Sequence, residues 1–352
     1  MWKSRRRVHI AVLALAIPLL GLTTACGASS AAGGGSSSSG GTGAVLKLQD
    51  PGNAGPLAYA KREGILEKRL GAVGASVEWG GSYASFTATI DAVRAGSVNV
   101  LAGAISPAVG YLANSPNIKI FSVTDPITDP AAPQTDGLVV RPDSPIKSVK
   151  DLVGKQVAVN KGGKGEYLLL LALEQAGVPV DQVKRVYLNP DQGAAAYATG
   201  KVDAWWAIVK AYPEAVSKGA RVIVHGRDLD DKDLTILAAR NELLEQHPEA
   251  VHVYLQVLQE LTEEARKTPE KFENVFLDQG PTAVSGARLA HNIATAKYAN
   301  TPRYATKDDG ANIQQVADLF RKYGVVSAAI DPANVLFDLK AAAGSPSPAS
   351  SG

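Results

Sequence analysis

Sulfur-containing and aromatic residues are scarce in this chain. Among 352 residues there are one cysteine, one methionine and only 6% aromatic residues. A single cysteine, Cys26, excludes an internal disulfide and any metal site built from several thiolates. Four of the 36 basic residues lie in the first seven positions, which leaves 32 basic residues against 34 acidic ones. Because there is no basic excess, we do not expect a nucleic-acid partner.

Motifs that mark enzymes or metal sites are also missing. His247 and His252 are five residues apart, not the three or four that would place both on one helix face, and His225 and His291 are isolated. The glycine-rich residues 162–165 lack the full spacing of a phosphate-binding loop, and no nucleophile elbow occurs. We therefore expect no metal and no cofactor, and we predict that the protein is not an enzyme.

The first 26 residues have the pattern of an export signal. Lys3 and three arginines precede an apolar run over residues 8–22, which is too short to span a bilayer comfortably. The run ends in Thr-Thr-Ala-Cys, which resembles the lipobox of bacterial lipoproteins, although Thr23 replaces the usual aliphatic residue. This resemblance implies that residues 1–26 are a signal peptide, that Cys26 is lipidated, and that the protein sits on the outer face of the cytoplasmic membrane. The alternative is an uncleaved membrane anchor.

Two segments lack the apolar residues that a folded core needs. Residues 27–43 consist only of Gly, Ala, Ser and Thr, which is typical of a flexible linker. Residues 341–352 are expected to form a disordered tail. The folded part between them, residues 44–340, is long enough for two domains.

Short apolar strands alternate with amphipathic helices through most of that folded part. This alternation predicts an α/β fold with a mostly parallel sheet covered on both faces. A first unit over residues 44–139 is followed by a second over 140–233, and the chain then returns to the first unit as mainly helical residues 234–340. Ligands in such folds bind beyond the carboxyl ends of the strands.

Several segments, in order along the chain, match one known family. Residues 143–159, DSPIKSVKDLVGKQVAV, follow the family's DSPIKSVADLKGKKVA, and residues 200–205, GKVDAW, follow its GxVDAW. Shorter matches are LEKR at 66–69, AVRAGS at 92–97 and LAAR at 237–240. The chain thus resembles the aliphatic-sulfonate, taurine and nitrate type of solute-binding proteins. The resemblance implies a periplasmic-binding-protein-like (type II) fold, in which two α/β lobes joined by two hinge strands enclose the ligand cleft.

The resemblance also implies a function and partners. We expect the extracytoplasmic binding component of an ABC importer, a monomer that takes a small anionic ligand such as an aliphatic sulfonate or taurine and meets a permease and its ATPase. Alternatives are nitrate, a precursor of the thiamine pyrimidine, or a ligand-sensing protein. A pyrimidine-synthase-like enzyme is disfavoured, since such enzymes use a cysteine-rich motif and Cys26 lies outside the folded part.

Carried over position by position, the family's ligand contacts fall on loops at strand ends. The implied ligand-binding residues are Gln49, Asn53, Ser82, Gly103, Lys161, Gly162, Gly163, Trp205 and Tyr212. Ser82 and residues 161–163 each precede a predicted helix, where free backbone N–H groups suit an oxyanion. The alternative for the glycines is a simple turn, and for Lys161 a solvated surface charge.

Two further features concern the expected ligand site. Trp205 and Trp206 are adjacent on a predicted strand and must point to opposite faces, so we expect one in the core and one at the ligand. Departures from the family pattern gather in the loops, with Asp50 in place of a lysine and Val209–Lys210–Ala211 in place of Trp-Asp-Pro. These changes leave the fold expectation intact and make the ligand's identity the open question.

Overall fold

A computed structural model describes residues 43–83, 86–113, 117–280 and 282–344. The predicted signal peptide with Cys26, nearly all of the linker, and the tail from residue 345 lie outside the described residues.

Eleven strands occur in the described part of the chain. They are β1 Val45–Leu48, β2 Ser76–Trp79, β3 Val100–Ala104, β4 Ile118–Thr124, β5 Asp136–Val140, β6 Gln156–Val159, β7 Lys184–Tyr187, β8 Ala204–Ile208, β9 Arg221–Val224, β10 Thr235–Arg240 and β11 Arg303–Tyr304.

Thirteen α-helices accompany these strands over the same described ranges. They are α1 Pro56–Glu63, α2 Ile65–Gly71, α3 Phe86–Arg94, α4 Ile105–Leu112, α5 Lys164–Gln175, α6 Pro190–Ala198, α7 Ala211–Ser217, α8 Asn241–Gln246, α9 Pro248–Lys267, α10 Gly286–Ala296, α11 Gly310–Lys322, α12 Pro332–Val335 and α13 Leu339–Ala343. Short 3-10 turns are found at Val149–Leu152, Val180–Gln182, Gly226–Asp228, Pro269–Phe272 and Lys307–Asp309.

The first group of strands forms two small sheets. β1 and β2 pair in parallel, and a four-stranded sheet has the order β11-β4-β10-β3 with antiparallel pairs. The side chain of Asn99 joins the two sheets: it accepts a hydrogen bond from Lys47 N–H at 2.7 Å and donates one to the Val45 carbonyl at 2.8 Å. β1 is thereby held next to the start of β3.

The second group forms one five-stranded sheet with the order β7-β6-β8-β5-β9. β6 is parallel to both β7 and β8, whereas β5 is antiparallel to β8 and β9. The prediction of a mostly parallel sheet is therefore wrong: five of the eight strand pairs in the described residues are antiparallel, including all three in the four-stranded sheet. The strand direction there follows from where the chain enters and leaves the sheet, which a local apolar pattern does not record.

The chain passes between the two groups of strands twice. It leaves after β4 and enters the second sheet at β5, and it returns between β9 and β10. β5 pairs in the second sheet over its whole length, so the first crossing occupies residues 125–135. The predicted boundary between residues 139 and 140 falls inside β5. The buried sequence of β5 does not indicate which sheet this strand joins, so the boundary could not be placed from the sequence.

Two helices differ from the sequence-based expectation. A single helix is predicted over residues 56–70, but Gly64 adopts φ 63° and ends α1, and α2 begins directly after it. Glycine takes this left-handed conformation without steric cost, so it divides the helix instead of merely weakening it. A helix is also predicted over residues 269–279, yet only the turn Pro269–Phe272 forms.

Helices near the crossings tie the two groups of strands together. Tyr167 of α5 packs edge-on against Phe320 of α11, with ring centroids 6.1 Å apart. Lys322, two residues further along, binds the Glu174 carboxylate of α5 at 2.7 Å. The largest apolar cluster accordingly includes residues from both groups of strands.

None of the helices described in residues 43–344 is both long and apolar enough to cross a membrane.

Candidate functional site

A shallow depression lies at the carboxyl ends of the central strands of the second sheet. It has a volume of about 10 Å³, room for about one water molecule, and its lining consists of Asn160, Leu188, Pro190, Trp205, Trp206 and Ile208. Five of these six residues are apolar, and the amide of Asn160 supplies the polar group. The position agrees with the rule that ligands bind beyond strand carboxyl ends.

The turn that carries Lys161, Gly162 and Gly163 borders this depression. Gly162 adopts φ 63°, and Gly163 precedes the first residue of α5. The N–H of Gly162 donates to Glu166 Oε2 at 2.7 Å, and the N–H of Gly163 donates to the Asn160 carbonyl at 3.1 Å. Two of the amides predicted to be free for an oxyanion are thus already paired within the chain.

Glu166 is the buried anchor of that turn. Its side chain is fully inaccessible, and its Oε1 accepts hydrogen bonds from Arg185 and from the Tyr187 hydroxyl, both at 2.7 Å. Burial, together with the adjacent Glu166 carboxylate, raises the pKa of Tyr187 to about 12. Lys161 itself is exposed, and its ammonium lies 5.7 Å from the centre of the Tyr187 ring.

On the first sheet, the loop after β1 brings Gln49 and Asp50 next to the loop after β2. Gln49 Oε1 accepts a hydrogen bond from Thr89 at 3.2 Å. Asp50 pairs with the Lys61 ammonium at 3.2 Å and accepts a 3.4 Å hydrogen bond from the Ser82 hydroxyl. Ser82 is not the N-cap of α3 as predicted, because that helix begins four residues later at Phe86.

Asn53 has a different role from the one implied by the resemblance. Its Oδ1 accepts from the N–H groups of Phe276 and Leu277 at 2.8 and 3.0 Å. Its Nδ2 donates to the Leu277 carbonyl at 2.7 Å. Both ends of the amide are therefore used to hold the segment that leads into α10.

Gly103 makes room for a neighbouring aromatic ring. A Cβ atom at this position would lie 2.5 Å from Cε2 of Phe86. The absence of a side chain lets Phe86, the first residue of α3, pack on β3 at this end of the strand. Gly103 is the fourth of the five residues of β3 and pairs with Ile236, so it lies within the strand and not in a loop after it.

Trp205 and Trp206 point to opposite sides of the second sheet, as their adjacency predicts. Trp206 belongs to the largest apolar cluster and Trp205 to a separate one, and both are less than 5% exposed. Parts of both line the depression. The Trp206 indole N–H donates to Asp136 at 3.4 Å.

Tyr212 is buried beneath the second sheet. It is 6% exposed, and its hydroxyl lies 3.4 Å from Nδ1 of His225, whose ring also meets the Asp136 carbonyl. Burial and the nearby Asp136 charge raise the pKa of Tyr212 to about 12. Tyr212 does not line the depression formed by the strand ends.

A charged cluster that the sequence did not predict lies where the chain crosses back between the sheets. Lys164 binds Asp231 Oδ2 at 2.8 Å and the Asp233 carbonyl at 3.0 Å. Burial raises the pKa of Asp233 and of Asp136, and the positive charge of Lys164 opposes this. Burial lowers the pKa of Lys164, but the surrounding carboxylates outweigh it and raise that pKa overall. Lys164 is therefore an ion-paired residue.

Val209 is a second residue that sequence reasoning did not single out as a ligand contact. It follows Ile208 at the edge of the depression, has φ 50° and is 71% exposed. A β-branched residue in the left-handed region is strained by roughly 1–3 kcal/mol, and such strain concentrates at functional sites. One indication of Val209 was present in the sequence, because it is among the residues that depart from the family pattern.

The structure therefore brings the predicted site residues and their neighbours into two separate groups. Asp50, Ser82 and Lys61 form one group at the first sheets, and Lys161, Asn160 and the depression form the other at the second sheet. Among the described residues, no hydrogen bond or ion pair joins Ser82 to Lys161.

Comparison with solved structures defines the class of protein. A periplasmic aliphatic sulphonate binding protein from Escherichia coli superposes with a TM-score of 0.69, covering 84% of this chain and 92% of that one at 24% identity. The alkanesulfonate-binding protein from Xanthomonas axonopodis pv. citri, bound to MOPS, gives 0.71 at 20% identity, over 84% and 98%. The chain thus has the periplasmic-binding-protein fold with two α/β lobes.

The family follows from the sequence itself. The model of the NMT1/THI5 like family matches residues 86–272, more than half of the chain, and the protein belongs to that family. An Escherichia coli protein described as an aliphatic sulfonates-binding protein is 29% identical over 279 residues, which cover 78% of this chain and 83% of the relative. The taurine-binding periplasmic protein of the same organism is 25% identical over 205 residues, covering 57% and 60%.

Proposed function

We propose that this protein is the extracytoplasmic binding component of an ABC importer and that its ligand is a small organic sulfonate. The 279-residue similarity to the Escherichia coli aliphatic sulfonates-binding protein carries the proposal, since it spans most of both chains. The position of the depression supports it, because it lies at strand carboxyl ends next to the turn with Lys161, whose exposed ammonium suits a negative head group.

We further propose that the protein binds its ligand without transforming it. A more distant fold relative is the desulfurization enzyme DSZB, with a TM-score of 0.56 at 17% identity, which bears on the fold alone. The single cysteine at position 26 precedes the folded part, so the lobes carry no thiol nucleophile. Binding a ligand and delivering it to a permease and its ATPase require no thiol nucleophile.

A ligand panel tests the proposed function. The purified full chain is heated with butanesulfonate, taurine, nitrate and a hydroxymethylpyrimidine, each over a range of concentrations. Butanesulfonate is expected to raise the melting temperature, because a ligand stabilises the folded state by RT ln(1 + [L]/Kd), about 2.7 kcal/mol at 100 times Kd. Stabilisation by nitrate or the pyrimidine alone would replace the sulfonate assignment with one of those ligands.

The anchor is tested separately at Cys26. We propose that this cysteine, which lies outside the described residues, is acylated and holds the protein at the membrane. Labelled palmitate should enter the wild-type protein but not Cys26→Ser, which should appear in the medium or remain an unprocessed precursor. A wild-type protein without label would contradict the lipid anchor.

A further inference from the structure

The first turn of α5 is bound to the second crossing between the two groups of strands. The Lys164 ammonium donates to Asp231 Oδ2 at 2.8 Å and to the Asp233 carbonyl at 3.0 Å. One helical turn later, the Tyr167 hydroxyl accepts a hydrogen bond from the Lys232 N–H at 3.2 Å. Three contacts therefore hold the start of this helix on the crossing.

The crossing residues that bind Lys164 are themselves held in place. Asp231 Oδ1 accepts a hydrogen bond from the Asp233 N–H at 2.8 Å, so one carboxylate both closes this short segment and pairs with Lys164. The Asp233 carboxylate binds the N–H and the hydroxyl of Ser106 at the start of α4. The side chains of Lys164 and Asp231 are only 27% and 17% exposed, so water screens their attraction incompletely. The segment is therefore a fixed support for the start of α5.

Lys164 directly follows the turn at residues 161–163, which borders the depression. The Asn160 amide lies over this turn: a Cβ atom on Gly163 would collide with its Nδ2, and one on Gly165 would lie 2.7 Å from its Oδ1. Asn160 also lines the depression, and the Gly165 N–H donates to its Oδ1 at 3.1 Å. A shift of the start of α5 would therefore move both the turn and one wall of the depression.

We propose that Lys164 is a positioning residue for the ligand, whose ion pair with Asp231 sets where the 161–163 turn lies. Glu166 has the complementary role, because its carboxylate accepts from an amide within the turn and fixes the turn's shape. Lys164 acts through the turn and not by its own charge, since its ammonium is already bound to a carboxylate and a carbonyl of the crossing. The inference rests on the proposed function for the assignment of this turn to the ligand.

Titration calorimetry of the purified full chain with butanesulfonate tests this role. Lys164→Met keeps much of the side-chain length and removes the charge, and it should weaken binding about 10-fold, near the lower end of the range for a lost charged hydrogen bond. Asp231→Asn should weaken binding by a similar factor. The double variant should bind no more weakly than either single variant, because both changes break the same ion pair. Lys164→Arg retains the charge and should lose less affinity than Lys164→Met.

The Asp231→Asn variant separates positioning of the turn from direct attraction of the ligand. A lysine that attracted an anion by its own charge would attract it more strongly once Asp231 is neutral, so tighter binding by Asp231→Asn would overturn the inference. Lys322→Met is the matched control, because Lys322 pairs with Glu174 near the other end of α5 at an exposed position. Its affinity for butanesulfonate should equal that of the wild type.

Hydrogen–deuterium exchange without ligand distinguishes this inference from the proposed function. Lys164→Met should accelerate labelling of the Gly162 and Gly163 amides, which are bound to Glu166 and Asn160, while the five-stranded sheet stays protected. Faster exchange throughout that sheet, unchanged exchange at the two amides, or wild-type affinity in Lys164→Met would each overturn the inference. If the wild type does not bind butanesulfonate but the exchange changes as expected, the sulfonate assignment fails and the role of Lys164 in positioning the turn stands.

Discussion

Asp233 and Ser106 form a fully buried link between the second chain crossing and the first residues of α4. The Asp233 carboxylate accepts hydrogen bonds from the Ser106 N–H at 2.7 Å and from its hydroxyl at 2.6 Å. Ser106 is 0% exposed and Asp233 is 4% exposed. The carboxylate thus caps a helix of the first lobe while its own carbonyl binds Lys164 of the second.

Removal of the Asp233 carboxylate should destabilise the protein strongly. Asp233→Ala leaves the buried Ser106 N–H and hydroxyl without their acceptor and removes a negative charge near Lys164, and we expect a loss of about 3–5 kcal/mol in the free energy of unfolding. Urea denaturation measures it. Asp338→Ala is the matched control, because Asp338 caps α13 at an exposed position and should lose only about 1 kcal/mol. Equal losses in the two variants would contradict a special role for the buried link.

Glu166 should be required both for stability and for the shape of the 161–163 turn. Glu166→Gln weakens the contacts with Arg185 and Tyr187 and removes a buried charge pair, so we expect a loss of about 2–4 kcal/mol. Glu174→Gln on the same helix breaks an exposed pair with Lys322 and should cost less than about 1 kcal/mol. Ligand affinity should also fall in Glu166→Gln alone, because the Gly162 amide loses its charged partner.

Alanine variants of Lys161 and Ser82 should differ in their affinity for a sulfonate. Lys161→Ala is expected to weaken sulfonate binding by about 1–3 kcal/mol, the range for a charged hydrogen bond, without a change in the unliganded stability. Ser82→Ala should change affinity less, because the Ser82 hydroxyl is directed to Asp50. Calorimetry with butanesulfonate measures both. Wild-type affinity in Lys161→Ala would assign Lys161 to the solvated surface.

Alkaline pH should destabilise the protein through Tyr212. Its pKa in the folded state is about 12, against an ordinary value of 10.0. Folding therefore favours the neutral phenol. The resulting contribution to the free energy of unfolding is fully present below pH 10 and is lost as the pH rises from 10 to 12. Two pKa units correspond to about 2–3 kcal/mol. Tyr212→Phe should lose less stability over this interval in urea titrations, and an equal loss in both proteins would exclude Tyr212 as the cause.

Local pattern predicted the order of most elements correctly because each apolar segment must be buried by its own strand or helix. The assignment of Trp205 and Trp206 to opposite faces follows from strand geometry alone and is confirmed. The antiparallel direction of β5 was not predictable in this way, since its buried sequence, DGLVV, has no signal for its neighbours.

The site was harder to predict than the fold because its side chains have partners that are distant in sequence. The position of Asn53 in a loop suggested a ligand contact. In the structure its amide is occupied by hydrogen bonds to residues more than 200 positions away. Lys164 meets Asp231 and Asp233 only after the second crossing returns.

The Asn99 amide has a consequence for how the first strands open. β1 is not joined to β3 by a regular ladder of backbone bonds, and this single side chain supplies two of the links between them. The β1–β2 pair should therefore detach as one cooperative unit at a lower free energy than global unfolding. In hydrogen–deuterium exchange, Asn99→Ala would accelerate labelling of both strands together while the five-stranded sheet remains protected. The strand that precedes Gln49 would then be the most readily released part of the ligand-binding lobe.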